Sequence, residues 1–253
     1  MTDFFSTWCQ APKNKTIGKH SAQTLASAND TMGINAVSAI LPQSYATNQN
    51  LSRIAKRRGK NGVAKLLNNK MPKTKGSRSG DMGEILGTAY VNTVLGYKTG
   101  PSRLIQRDHQ EWALRGDDVL GARLDGSAVE LVKVEAKSRV KARESAIISA
   151  RQGLQRNGDL ASPHSLTQFA ERLLETDEAL SDAINDLLQE NGVRPQQLMH
   201  VMFIFTQNDP TTHVNSDLKS YNGSVTQTTV TVRVKAHQDF IANSYDSVVN
   251  HAP

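Results

Sequence analysis

The sequence predicts an α/β (α+β) fold, a mixed central sheet flanked by helices. Three observations carry this. Gln197–Gln207 (QLMHVMFIFTQ) is a continuous apolar run, the pattern of a central strand buried on both faces. Gly223–Ala236 (GSVTQTTVTVRVKA) alternates and is β-branched, which reads as another strand. Around them lie stretches of helical apolar spacing, in the order helix, hairpin, helix, helices, strand, strand, helix.

Taken in order, residues 10–50 are rich in Asn, Ser, Thr, Ala and Gln and show weak periodicity, with Gly33–Pro42 a short strand or buried turn ending at the proline. Gln49–Lys70 reads as two short basic helices joined by a glycine bend, since Gly59 and Gly62 interrupt its apolar positions. Met71–Gly80 (MPKTKGSRSG) reads as a basic loop. Asp81–Gly96 reads as a helix, N-capped by Asp81 and stopped by Gly96. A hairpin follows within Leu114–Val140. Lys141–Gly158 is a helix with Ala142, Ala146, Ile147, Ala150 and Leu154 inward. Ser165–Gly192 holds one or two acidic amphipathic helices, whose acidity makes a poor DNA face. Asp239–Val249 closes the chain as a helix.

The length of 253 residues suits one large domain, or one domain with an extension. No apolar run is long enough to span a bilayer, and the start lacks an apolar signal core. The single cysteine, Cys9, forms no internal disulfide, so a cytoplasmic location is expected. The net charge is +6, but residues 1–80 carry +11 and residues 81–253 carry −5. Such asymmetry points to a basic part facing a polyanion, nucleic acid ahead of an acidic protein. The expected division is therefore a basic N-terminal region, 1–78, and a core domain, 79–253.

The chemistry concentrates in the hairpin. Alternation along its second strand puts Lys133, Glu135 and Lys137 on one face and Val132, Val134 and Ala136 on the other. Taken alone, this pattern also describes a strand with one solvated face. Register adds to it. A two-residue turn at Asp125-Gly126 sets Asp118 against Lys133, diagonal to Glu135, whereas a four-residue loop sets Asp118 opposite Glu135. Either places Asp118 with Glu135 and Lys137 and sends Asp117 to the other face. A three-residue loop favours Asp117 instead. Two close carboxylates repel unless a cation joins them, and oxygen ligands with an open, hydrated sphere suit Mg²⁺ or Mn²⁺. Such a metal would activate water and stabilise charge on a phosphoryl oxygen, with the lysine beside it.

Gly116-Asp117-Asp118 followed by Val134-Glu135-Ala136-Lys137 resembles the PD-(D/E)xK nuclease core, although no proline precedes the acid. Gly83-Glu84 on the preceding helix, the helix after Glu-x-Lys and the later apolar strand add to the likeness. More narrowly, SGDMGEILG, RGDDVLG, VEAKS, SAIISARQGL and HVMFIFTQND, in this order across residues 75–250, resemble the HamA family, nuclease subunits of the Hachiman anti-phage defence system. The resemblance implies a restriction-endonuclease-like fold and a HamB-like superfamily 2 helicase as partner, with DNA cutting restrained until that helicase meets aberrant DNA. It implies metal ligation by Asp118 and Glu135, support from Glu84, and Lys137 as the catalytic lysine. The carbonyl of Ala136 would add a ligand.

Other readings stand beside these. Asp81-x-x-Glu84 is also a capping-box pattern. Lys73, Lys75 and Arg78 could line a DNA path, and Arg139, Lys141 and Arg143 leave the site strand well placed for phosphates. The run Lys56–Lys60 is more simply a solvated face. Trp8 and Trp112 read as packing residues, and His109, His164 and His200 have no ligand spacing. The alternatives to a defence nuclease are a restriction or repair nuclease of the same fold, and a non-catalytic nucleic-acid-binding or helicase-regulating subunit.

Overall fold

The computed structural model describes residues 3–112, 115–126, 128–190 and 192–250. Six strands form one mixed sheet: β1 (Lys13–Ile17), β2 (His20–Ala26), β3 (Val119–Asp125), β4 (Ala128–Arg139), β5 (Leu198–Thr206) and β6 (Thr226–Arg233). The spatial order is β1-β2-β6-β5-β4-β3. β2, β6, β5 and β4 run parallel, and the edge strands β1 and β3 are antiparallel to their neighbours. The helices are α1 (Asp30–Tyr45), α2 (Asn48–Lys70), α3 (Lys75–Thr93), α4 (Glu144–Leu154), α5 (Pro163–Leu173), α6 (Glu178–Glu190), α7 (Thr211–Ser220) and α8 (His237–Asn250). None is long and apolar enough to cross a membrane, among the described residues.

The apolar run of β5 is buried on both faces, as expected. Val201, Phe203 and Phe205 enter the core shared with α1, α3 and α8, while Met202 and Ile204 enter the opposite core with α4 and α7. A third cluster sits beneath α5 and α6, with Leu120, Leu131, Phe169 and Ile184.

Several elements differ from the sequence reading. Gly33–Pro42 lies within α1. Asn29 caps that helix, its side chain accepting from the N–H groups of Thr31 and Met32 at 3.0 and 3.2 Å. Pro42 is tolerated in the last turn, and the Ala46 N–H still donates to its carbonyl at 3.0 Å. The basic loop 71–80 is half helix: α3 begins at Lys75, capped by Thr74, whose hydroxyl accepts from Ser77 N–H at 3.3 Å. Asp81 is therefore no cap but a buried residue inside α3, paired with Arg107 and accepting from Tyr45 Oη at 2.6 Å. Gly59, at φ +62°, breaks α2 into the two expected basic helices.

The strands β1 and β2 and the helix α7 were not expected. β1 is mostly exposed and polar, so it carries no core pattern, and α7 buries only Val214 and Leu218. The division expected after residue 78 falls inside α3. β2 pairs with β6, and Phe5 and Trp8 lie in the core against Phe203 and Phe240, so residues on both sides of that point share one sheet and one core.

Candidate active site

The site forms where β4 outlasts β3. The hairpin pairs Val119 with Val134, Leu124 with Val129 and Asp125 with Ala128. This is the register of the wider loop, and continued by one residue beyond the ladder it brings Asp118 beside Glu135. β5 accompanies β4 as far as Arg139, leaving the other edge of residues 135–139 without a strand. The Asp118 side chain occupies that edge, its Oδ2 accepting from the Ala136 N–H at 2.9 Å. In a strand the N–H and C=O of one residue leave on the same edge, so the Ala136 carbonyl also faces this gap.

Glu135 and Lys137 project together on the α4 side. Lys137 Nζ lies 2.6 Å from Glu135 Oε1. The carboxyl of Glu135 is pushed up by burial and by the charge of Asp118, against the pull of Lys137. Space for it comes from Gly153 on α4, where a Cβ would overlap the carboxyl group itself.

Glu84 arrives from α3, on the opposite face of the sheet. It is gripped by Arg103, on a short 3-10 turn, Arg103–Gln106. Arg103 Nε donates to Glu84 Oε2 at 2.9 Å and Nη2 lies 2.9 Å from Oε1. The same Nη2 reaches Asp118 Oδ1 at 3.1 Å, and Nη1 donates to the Arg115 carbonyl at 3.2 Å. Burial nevertheless pushes the Glu84 carboxyl up to about 7, opposed by Arg103. With Asp81 inside the helix, the capping-box role of Glu84 falls away.

Asp117 does not turn to the face away from Lys133. Gly116, at φ +97°, redirects the chain before the ladder begins, and Asp117 is buried 3.4 Å from Lys133 Nζ. Lys133 is fully buried and donates to the carbonyls of Leu154, Arg156 and Leu160 at 2.9, 3.1 and 2.9 Å. Asp117 also accepts from Ser162 N–H at 3.0 Å. This pair closes the turn after α4, and leaves Asp118 as the acid facing the gap.

Carboxylates and a free strand carbonyl are the donors a hard divalent cation takes, so the residues suit Mg²⁺ or Mn²⁺ in kind. Their placement is more restrictive. Among the described residues no three Asp, Glu, His or Cys groups come together as a metal-binding cluster. Asp118 interacts electrostatically with both Glu84 and Glu135, which approach from opposite faces, and the positive charge beside it is the guanidinium of Arg103.

Of the basic residues expected to meet DNA, Lys73, Lys75, Arg78 and Arg139 line one cleft of about 460 Å³, next to Ser138 and hence to the end of the site strand. Arg78 is partly committed there, to Asp246 at 3.3 Å and to the Pro72 carbonyl at 3.0 Å. Lys141 and Arg143 are exposed beyond β4 and do not line this cleft. Lys56–Lys60 is exposed at the bend of α2. Trp8 packs as expected, but Trp112 is 64 % exposed, its ring 5.2 Å from that of His109. Arg103 and the Lys133–Asp117 pair are the residues that sequence reasoning missed. Arg103, one of two arginines in GPSRLIQRD, belongs to no periodic pattern, and only its nearness in the chain to Asp118 hints at a role.

Among curated proteins none matches the chain. The model of the HamA family matches residues 2–248, nearly the whole length. The chain belongs to the HamA family, and through it to Hachiman anti-phage defence.

Proposed function

We propose that this protein is a metal-dependent deoxyribonuclease of the PD-(D/E)xK type, the cytoplasmic effector of a defence complex with a HamB-like superfamily 2 helicase. The observation that supports it best is Asp118 set opposite Glu135 at an open strand edge, with Lys137 on the Glu135 carboxylate. Asp118, Glu135 and the Ala136 carbonyl would hold Mg²⁺ or Mn²⁺, with Glu84 supporting Asp118. When bound, the metal supplies a more acidic water and a counter-charge for the phosphoryl oxygens.

The chain's own groups have distinct tasks. Lys137 orients the attacking water and offsets charge developing on the phosphate. Water oxygen bonds to phosphorus as the ester P–O bond opposite it breaks, and the departing oxygen takes up a proton. The cleft of Lys73, Lys75, Arg78 and Arg139 takes the DNA backbone, where cations bind phosphates and release counterions.

The test is cleavage of plasmid and single-stranded DNA by the chain alone and with its helicase plus ATP, in Mg²⁺, Mn²⁺ or EDTA. Glu135→Ala and Lys137→Ala are expected to lower metal-dependent cutting about 100-fold or more. An active helicase complex that cuts nothing under any condition would favour the non-catalytic, helicase-regulating subunit.

A further inference from the structure

Arg103 sits among the acids rather than at their rim. Its side chain is 13 % exposed, and three of its nitrogens are engaged by Glu84, Asp118 and the Arg115 carbonyl. Arginine stays protonated under all physiological conditions, so this is a permanent positive charge between two carboxylates that would otherwise repel. A divalent cation could neutralise the same pair. It would need the same oxygens, above all Asp118 Oδ1, whose approach the guanidinium now covers.

Space makes the two cations alternatives. The cavity beside Glu84, Arg103 and Asp118 has a volume of about 50 Å³. That admits a water or two. Mg²⁺ keeps several of its waters, so at Asp118 Oδ1 it would compete with the guanidinium for the same place. The turn that carries Arg103 lies in the connection between α3 and β3, outside the sheet ladder, so the side chain can withdraw without breaking either element.

We propose that Arg103 is a built-in counter-cation that shares the Glu84–Asp118 carboxylates with a divalent metal, so that the metal enters only as the guanidinium leaves. This rests on the metal-site reading above. It adds that the resting chain binds metal weakly because an internal charge already fills the position.

The test is calorimetric titration of the full chain with Mn²⁺ alone, without DNA, on wild type, Arg103→Met, Arg103→Lys and Arg103→Met/Asp118→Asn. Circular dichroism checks that each is folded. Arg103→Met is expected to bind Mn²⁺ about tenfold tighter or more, the effect of unmasking an uncompensated carboxylate pair. The added Asp118→Asn change should remove that gain, locating it at this site. Should Arg103→Met not fold, Arg103→Lys carries the test, because a lysine replaces the planar fork with a single point charge. It is expected to bind Mn²⁺ several-fold tighter than wild type. Tight binding by wild type with no gain in either folded variant overturns the exchange and leaves the metal site standing. No Mn²⁺ binding by any folded variant overturns both.

Discussion

Glu84 shows how one side chain couples the site to pH. Burial raises its carboxyl from an ordinary 4.5 to about 7, even with Arg103 in contact. Between those values the folded chain holds a proton that the unfolded chain has released. The stabilisation is fully present below pH 4.5 and is lost as pH rises to about 7, an effect of at most about 3 kcal/mol. Urea unfolding from pH 4.5 to 8 should therefore show stability falling with pH. Glu84→Gln should reduce that slope, and an unchanged slope would place the titration elsewhere. Glu135, also raised, contributes with the same sign. At this scale much of the site was legible. Strand alternation put Glu135 and Lys137 together, and the wider even loop matches the observed register, but Asp117 turns towards Lys133 and not away from it. Arg103 was not legible, because its partners lie on two other elements and no local spacing encodes such a meeting.

Elements supply the geometry these side chains need. α4 packs on β4 through Gly153, and the missing side chain there is what admits the Glu135 carboxyl. Alanine is the better helix former by about 1 kcal/mol. Even so, Gly153→Ala should destabilise the fold, since overpacking costs about 1–3 kcal/mol. It should also displace Glu135 and, on the proposed function, lower DNA cutting about tenfold or more. A thermal melt and cleavage rates measured together check this. A stabilised, fully active variant would mean that Glu135 has another place to go. The elements with strong periodicity, β4, β5, β6, α4 and α8, were readable. α1 was missed because its proline suggested an end, although Asn29 had set the start. β1 escaped notice because an exposed edge strand has no buried face to pattern.

For the whole molecule the main outcome is the place of the N-terminal segment. Its charge suggested a basic region facing a polyanion, and within it β2 extends the sheet beside β6 while Phe5 and Trp8 fill the core. Deleting residues 1–28 would strip the β6 edge and open the core beneath it. The truncated chain is expected to lose its cooperative thermal transition by circular dichroism. A sharp melt near that of the full chain would show that the rest folds without this segment. The sequence by itself determined the fold class, the central strand, the hairpin and the nearness of Glu135 to Lys137, all of which follow from periodicity over a few residues. Only the tertiary structure decided that β1 and β2 join the sheet, that Asp81 is buried, and that Arg103 stands between Glu84 and Asp118. Those depend on contacts between residues far apart in the chain, where burial and charge pairing, not local pattern, choose the partners.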